Sequence, residues 1–245
     1  MKAMIMAAGL GTRLKPWTLT HPKALVPVED VPVLERLLLK LRNEGFDHIV
    51  VNVHHFSDQV KEFLAARDYG VRIDVSDETD RLLDTGGALR KALPLLSEDD
   101  GPVLVHNVDI LSNEDLGRLV HIHNDTGADI TLLTSPRESS RRLVFRPGGT
   151  LAGWRNIQTD EYRPAGFVPE ACMVQEAFSG IYVVGAKALA DIAEYGGRIG
   201  DDRFPIMDYL LSYPSGIEIR RHSDPRLRLL DIGKPDALAR AKEYL

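Results

Sequence analysis

An apolar run from Ala3 to Ala8 passes directly into Gly9-Leu10-Gly11-Thr12-Arg13, and Lys23 follows ten residues after Arg13, just behind Pro22 and ahead of Pro27. No other segment constrains the fold as strongly. The strand gives way to glycines, whose backbone N–H groups approach an anion closely, and the fixed Arg and Lys charges beside them suit a polyphosphate. Two familiar nucleotide loops are excluded by the spacing. A Walker loop requires Lys and then Ser or Thr directly after its last glycine, and here Thr12-Arg13 follows Gly11. The dinucleotide fingerprint would use Gly9 and Gly11, with Glu29 near its ~20-residue acid offset. Its third glycine is replaced by Leu14, however, and Pro16 and Pro22 fall where it needs an unbroken helix. An interior proline costs a helix roughly 3 kcal/mol. The segment therefore reads as a long loop between buried elements, the kind usually kept for function.

The composition allows a sizeable core: 245 residues, 44% hydrophobic and 27% charged, reading as one domain over 1–245 with at most a small appended subdomain. A net charge of −6 argues against binding nucleic acid or membranes through a basic surface, so any anion site must be local. Cys172 is the only cysteine, which excludes an internal disulfide, fits a reducing compartment and reads as a buried, inert thiol. No apolar run approaches the ~18 residues of a membrane span, and no signal-peptide pattern precedes Gly9. The expected location is the cytoplasm, as a monomer or small homo-oligomer.

Periodicity predicts a strand over Lys2 to Ala8, a helix over Val33 to Asn43 stopped by Gly45, a buried strand at Ile49 to Val53, a helix capped by Ser57 and a strand at Val71 to Val75. A short helix from Gly86 to Leu93, a strand at Val103 to Val105 and a helix opened by a Ser112/Asp115 capping box continue the alternation. Short strands at Leu143 to Phe145 and Leu151 to Trp154 mark a β-rich excursion at about 135–177. A strand at Ile181 to Val184, helices near Ala186 to Tyr195 and Pro205 to Tyr213, strands near Ile217 and Leu227 to Leu230, and a helix from Pro235 complete the chain. The expected fold is α/β, a Rossmann-like three-layer αβα arrangement with a mainly parallel mixed central sheet.

Magnesium beside phosphate takes one or two protein carboxylates and completes its octahedron with phosphate and water. Asp109 and Asp231 each follow a strand, at the sheet edge where α/β folds bind ligands, although an Asp in that place also caps turns. Leu83-Asp84-Thr85-Gly86-Gly87-Ala88 either brings amides to a base or phosphate or is a tight helix entry capped by Thr85. His54 and His55 are adjacent at a strand end and point to opposite faces, which favours packing or solvent over metal binding. His106 is given no catalytic role, since phosphoryl transfer onto a phosphate oxygen needs no general base.

The run Ala7 to Leu14, Pro16 and Pro22-Lys23-Ala24-Leu25-Val26-Pro27-Val28 resembles the signature of sugar-1-phosphate nucleotidyltransferases. Leu83 to Ala88, Asn107-Val108-Asp109, Phe178-Ser179-Gly180-Ile181-Tyr182 and Asp231-Ile232-Gly233 resemble its later motifs in the right order. The resemblance implies transfer of NMP from an NTP to a sugar 1-phosphate with Mg²⁺, giving an NDP-sugar and pyrophosphate. It implies that Arg13 grips the triphosphate, that Lys23 contacts the α-phosphate and the sugar phosphate, and that Asp109 and Asp231 hold the metal. Gly9, Gly11, Thr12 and Asn107 match nucleotide contacts; Glu78, Gly86 and Gly87 match the base pocket more weakly. Val108, Leu229 and Lys234 depart from the family's usual Gly, Trp and Thr, which bears on the sugar side.

The length resembles short members without a C-terminal β-helix, such as the N-acetylmuramate-1-phosphate uridylyltransferases, with mannose-1-phosphate guanylyltransferases and phosphocholine cytidylyltransferases as rivals. A glycosyltransferase consuming an NDP-sugar usually carries a DxD motif and has no use for a triphosphate loop. An inactive nucleotide-binding regulator would be expected to lack Lys23, Asp109 or Asp231, and all three are present.

Overall fold

The computed structural model describes residues 1–97, 99–233 and 235–244. In chain order its first half holds β1 (Lys2–Met6), β2 (Pro27–Val28), β3 (Val31–Pro32), α1 (Val33–Asn43), β4 (His48–Val53), α2 (Ser57–Ala65), β5 (Arg72–Asp77), α3 (Asp84–Leu96) and β6 (Val103–Asn107). The second half holds β7 (Ile110–Ser112), α4 (Leu116–Thr126), β8 (Ile130–Ser135), β9 (Arg141–Phe145), β10 (Leu151–Asn156), β11 (Glu161–Arg163) and β12 (Val174–Val184). It continues with α5 (Ala186–Ile199), α6 (Ile206–Leu211), β13 (Ile219–Ser223), β14 (Leu229–Asp231) and α7 (Pro235–Ala239).

The central sheet is mixed, with its β6-β1-β4-β5 portion parallel. From β1 the chain moves to β4 and β5 on one side and then returns to place β6 on the other. The switch point thus lies between β1 and β6, where open α/β sheets bind ligands at the carboxyl ends of their strands. Alternation along these strands feeds two apolar layers. Ala3, Ile5, Ile49, Val51 and Leu104 pack with the α1 leucines on one face, and Met4, Met6, Val50, Val103 and Val105 with Ala88, Leu89 and Ala92 of α3 on the other. In α1, Leu34, Leu38 and Leu41 are fully buried, each contributing roughly 1.5–3 kcal/mol of transfer energy. That helix stops at Gly45, whose φ of 87° other residues rarely adopt.

The β-rich excursion is continuous with this sheet. Val174 to Glu176 of β12 pair with β9, and Ile181 to Val184 of the same strand pair with β6.

Several local expectations are corrected. β1 ends at Met6, not Ala8, because the Ala7 N–H leaves the ladder and donates to Asn52 Oδ1 at 2.6 Å. Ser57 is the first residue of α2 and not its cap; Phe56, at φ 54°, occupies the N-cap. Ser112 lies in β7 opposite Leu229, so Asp115 caps α4 alone, accepting from the Arg118 N–H at 2.8 Å. α3 runs on through Pro94 to Leu96. β8 was unforeseen: all six residues are buried between β12 and β13, so no polar alternation marks it. Cys172 is exposed rather than buried. Val108, 4% exposed, belongs to the same buried cluster as Ile110, Leu230 and Ile232, and Leu229 packs against it. Lys234 lies outside the described residues. Among the described residues no helix is long and apolar enough to cross a membrane.

Candidate active site

At the switch point the register puts Asn107, Met6, Asn52 and Ser76 in one row across the carboxyl ends of β6, β1, β4 and β5. Above this row lies a cavity of about 300 Å³ lined by Gly9, Lys23, Asn52, Glu78, Asn107 and Asp109, among others. The glycine loop over it is a chain of 3-10 turns at Thr12–Leu14, Trp17–Leu19 and Lys23–Leu25. Gly11 sits at φ 60°, and a Cβ there would stand 2.8 Å from Thr18 Cγ2 and 2.9 Å from Lys23 Cβ. Glycine at this point lets the loop fold onto the stem of Lys23. Gly9, Thr12 and Arg13 remain exposed on the same loop.

The Lys23 ammonium is ion-paired with Asp109 Oδ2, and both side chains are largely buried, 13% and 14% exposed. Asp109 occupies the turn between β6 and β7. Asp231 lies inside β14, not past a strand end as expected, because β14 pairs with β7 and places Asp231 opposite Ile110. The Ile232 N–H donates to the Asp109 carbonyl at 2.9 Å, fastening the two aspartate segments together. Gly233 marks their meeting point. A Cβ built on it would lie 2.8 Å from Asp231 Oδ1, 2.9 Å from Arg13 Nη2 and 3.0 Å from Lys23 Nζ. Four residues distant in sequence (Arg13, Lys23, Asp109 and Asp231) therefore converge, and the missing side chain at Gly233 leaves room for them to do so.

A second network braces the cavity from beneath. Asn52 accepts from the Ala7 N–H through Oδ1 and donates through Nδ2 to Glu78 Oε1 at 2.7 Å, while Glu78 Oε2 accepts from the Leu83 N–H at 2.9 Å. Asn52 is 3% exposed and Glu78 fully buried. One amide and one carboxylate thus tie the start of the glycine loop to the entry of α3. Asn52 was missed by sequence reasoning, although a lone Asn inside Ile49 to Val53 is itself a signal, since a buried amide must find partners.

Gly86 and Gly87, which the resemblance matched to the base pocket, are packed against the segment that precedes α6. Their N–H groups both donate to the Phe204 carbonyl, at 2.9 and 3.1 Å. A Cβ on Gly86 would lie 2.3 Å from the Phe204 ring, and one on Gly87 would lie 2.2 Å from the Asp202 carbonyl oxygen. The pair is a close-packing surface for the segment leading into α6, and the cavity wall is given instead to Leu82, Asp84 and Thr85. Thr85 does not cap its own helix; its Oγ1 accepts from the Ile206 N–H at 2.9 Å, satisfying a first-turn donor of α6. Gly87→Ala is accordingly expected to lower stability by about 1–3 kcal/mol through backbone displacement. Chemical denaturation checks it, and an unchanged midpoint would contradict this packing.

Asn107 packs against Gly180, where a Cβ would meet its Nδ2 at 2.5 Å. His106 points to the opposite face, with its Nδ1 2.8 Å from the Asn107 carbonyl; burial pushes its imidazole down to about 4, so it is neutral at physiological pH. His54 lies 2.7 Å through Nδ1 from the Glu78 carbonyl, and His55 tilts against Phe56; both are packing roles.

The model of the Nucleotidyl transferase family matches residues 2–145 of this chain, more than half of its length. The UTP–glucose-1-phosphate uridylyltransferase of Synechocystis is 33% identical over 218 residues, covering 84% of this chain and 54% of that protein. The N-acetylmuramate alpha-1-phosphate uridylyltransferase of Caulobacter vibrioides is 44% identical over 121 residues, 48% of this chain and 49% of that one. The chain thus spans about half the length of the curated relatives it matches. The crystal structure of HddC from Yersinia pseudotuberculosis superposes with a TM-score of 0.75 at 22% identity, covering 99% of this chain and 98% of that one. The expected fold is thereby shown.

Proposed function

This chain belongs to the Nucleotidyl transferase family, and from that premise we propose that it is an enzyme transferring NMP from an NTP to a sugar 1-phosphate, with one catalytic domain over 1–245. The observation that carries the proposal is the convergence of Arg13, Lys23, Asp109 and Asp231 at Gly233, beside a cavity at the sheet's switch point.

In this reading an oxygen of the sugar phosphate attacks the α-phosphorus of the NTP. The new P–O bond forms as the bond from the α-phosphorus to the bridging oxygen breaks, and that electron pair leaves on pyrophosphate. The nucleophile is already an anion, so no general base is required. The protein's task is to hold two mutually repelling anions in line and to balance charge on the leaving group. Arg13 holds the triphosphate, and Lys23 bridges the α-phosphate and the incoming phosphate. Gly9, Gly11, Thr12 and Asn107 bring backbone and amide groups to the nucleotide. Glu78 acts through Asn52 and Leu83 to fix the wall on which the base rests.

The donor set suits Mg²⁺. Asp109 and Asp231 are hard oxygen donors on two segments fastened together by the Ile232 N–H bond to the Asp109 carbonyl, and both flank the Lys23 ammonium. The protein would therefore supply two carboxylates and leave the remaining positions to phosphate and water. When bound, the ion supplies charge balance on the phosphoryl oxygens and the leaving pyrophosphate.

The identity to the Caulobacter enzyme supports UTP and N-acetylmuramate 1-phosphate as the substrate pair. A matrix of NTPs and sugar 1-phosphates, assayed with Mg²⁺ for pyrophosphate release, tests this. The UTP and N-acetylmuramate 1-phosphate pair is expected to give the highest kcat/KM. Turnover of another pair with this one silent would reassign the substrate, and silence of every pair would remove the reaction.

A further inference from the structure

Arg137 stands in the turn between β8 and β9, directly after Pro136. Its Nη2 donates to the Phe178 carbonyl at 3.1 Å, the one hydrogen bond its guanidinium makes among the described residues. That bond fixes the guanidinium beside a particular stretch of backbone. The pairing of β12 with β8 shifts register between Phe178 and Tyr182, and within that interval Gly180, at φ 81°, lies against the Asn107 amide. Asn107 ends β6, two residues before Asp109. Arg137 is exposed to solvent; the groups packed around its guanidinium lower its pKa, and the Asp231 carboxylate opposes that shift.

The reaction brings a second anion to the site. Arg13 and Lys23 both belong to the triphosphate loop, and Lys23, which bridges to the incoming phosphate, is shared among that phosphate, the α-phosphate and Asp109. Arg137 arrives from the β8–β9 side and carries a planar fork of donors, most of them without a partner among the described residues, that matches a phosphate.

Resting on the nucleotidyl transfer proposed above, we propose that Arg137 binds the phosphate of the sugar 1-phosphate and orients its attacking oxygen. The residue contributes little to NTP affinity, and its effect appears in the second substrate. Arg137→Gln keeps a donor for the Phe178 carbonyl but removes the charge, Arg137→Lys keeps the charge without the fork, and Arg137→Ala removes both.

Steady-state kinetics with the pair the unmodified chain turns over provide the test. KM for the sugar 1-phosphate is expected to rise at least about tenfold in the Gln and Ala variants and less in the Lys variant, with KM for the NTP within about twofold. A Gln variant that behaves as the unmodified chain would show that Arg137 only holds the Phe178 segment, and equal rises in both KM values would show a general loss of the site; either overturns the proposal. Calorimetric titration of N-acetylmuramate 1-phosphate separates this from failure of the reaction itself. If every pair is silent, the transfer reading fails, and an Arg137→Gln dissociation constant within twofold of the unmodified chain's, or no binding to either, overturns the assignment of Arg137 as well. A dissociation constant raised at least about tenfold upholds it.

Discussion

Lys23→Ala is expected to lower turnover by at least about tenfold, the scale of losing one preorganised charge aimed at a phosphoryl transition state. Asp109→Asn should do the same, because it removes one of the two carboxylates proposed for the metal and the partner that aims the Lys23 ammonium. Removing the ammonium leaves Asp109 unpaired, but Asp109 borders the cavity and water can reach it there. The stability cost should therefore stay within about 1–2 kcal/mol. Kinetics, circular dichroism and thermal melting of both variants check this. Since the two side chains act as a unit, the double variant should lose little more than either single one. Wild-type rates in either single variant would remove that residue from the mechanism.

The second large effect is expected from a residue with no side chain. Gly233→Ala puts a methyl carbon within about 3 Å of Asp231 Oδ1, Arg13 Nη2 and Lys23 Nζ at once. All three atoms are the ends of side chains that can swing aside, so the fold should tolerate the change. The cluster should not, because a displacement of about 1 Å at a reacting centre costs up to 10²-fold. Turnover is expected to fall at least tenfold while the melting temperature moves by no more than a few degrees. Loss of folding instead of activity would show that Gly233 serves packing. Unchanged turnover would mean that the point where these groups meet is not where the reaction occurs.

How much of this was legible in the sequence depends on whether a feature is local. The loop from Gly9 to Lys23 could be read because glycine, proline and charge at fixed spacing restrict the backbone directly, and α1 because Leu34, Leu37, Leu38 and Leu41 carry the helical period. Asp109 and Asp231 could be singled out by their place near strand ends. That they meet depends on the pairing of β7 with β14, two three-residue strands more than a hundred residues apart in sequence. β8 was hidden for another reason, since burial on both faces erases the alternation that marks a strand. The packing of Gly86 and Gly87 against the Phe204 segment was not legible, because a glycine that admits a ligand and one that admits a neighbouring segment look alike in sequence. Asn52 shows only as one amide inside an apolar strand, and Arg137 belongs to no local pattern at all.

The central claim, that the chain moves a nucleotidyl group onto a sugar phosphate, is tested most directly by following the label. The purified chain is given Mg²⁺, UTP labelled at the α-phosphate or, separately, at the γ-phosphate, and N-acetylmuramate 1-phosphate. The α-label should appear in an NDP-sugar and the γ-label in pyrophosphate, in equal amounts. An α-label that never enters a sugar nucleotide with any NTP and sugar 1-phosphate pair, while an added NDP-sugar is consumed, would contradict the account.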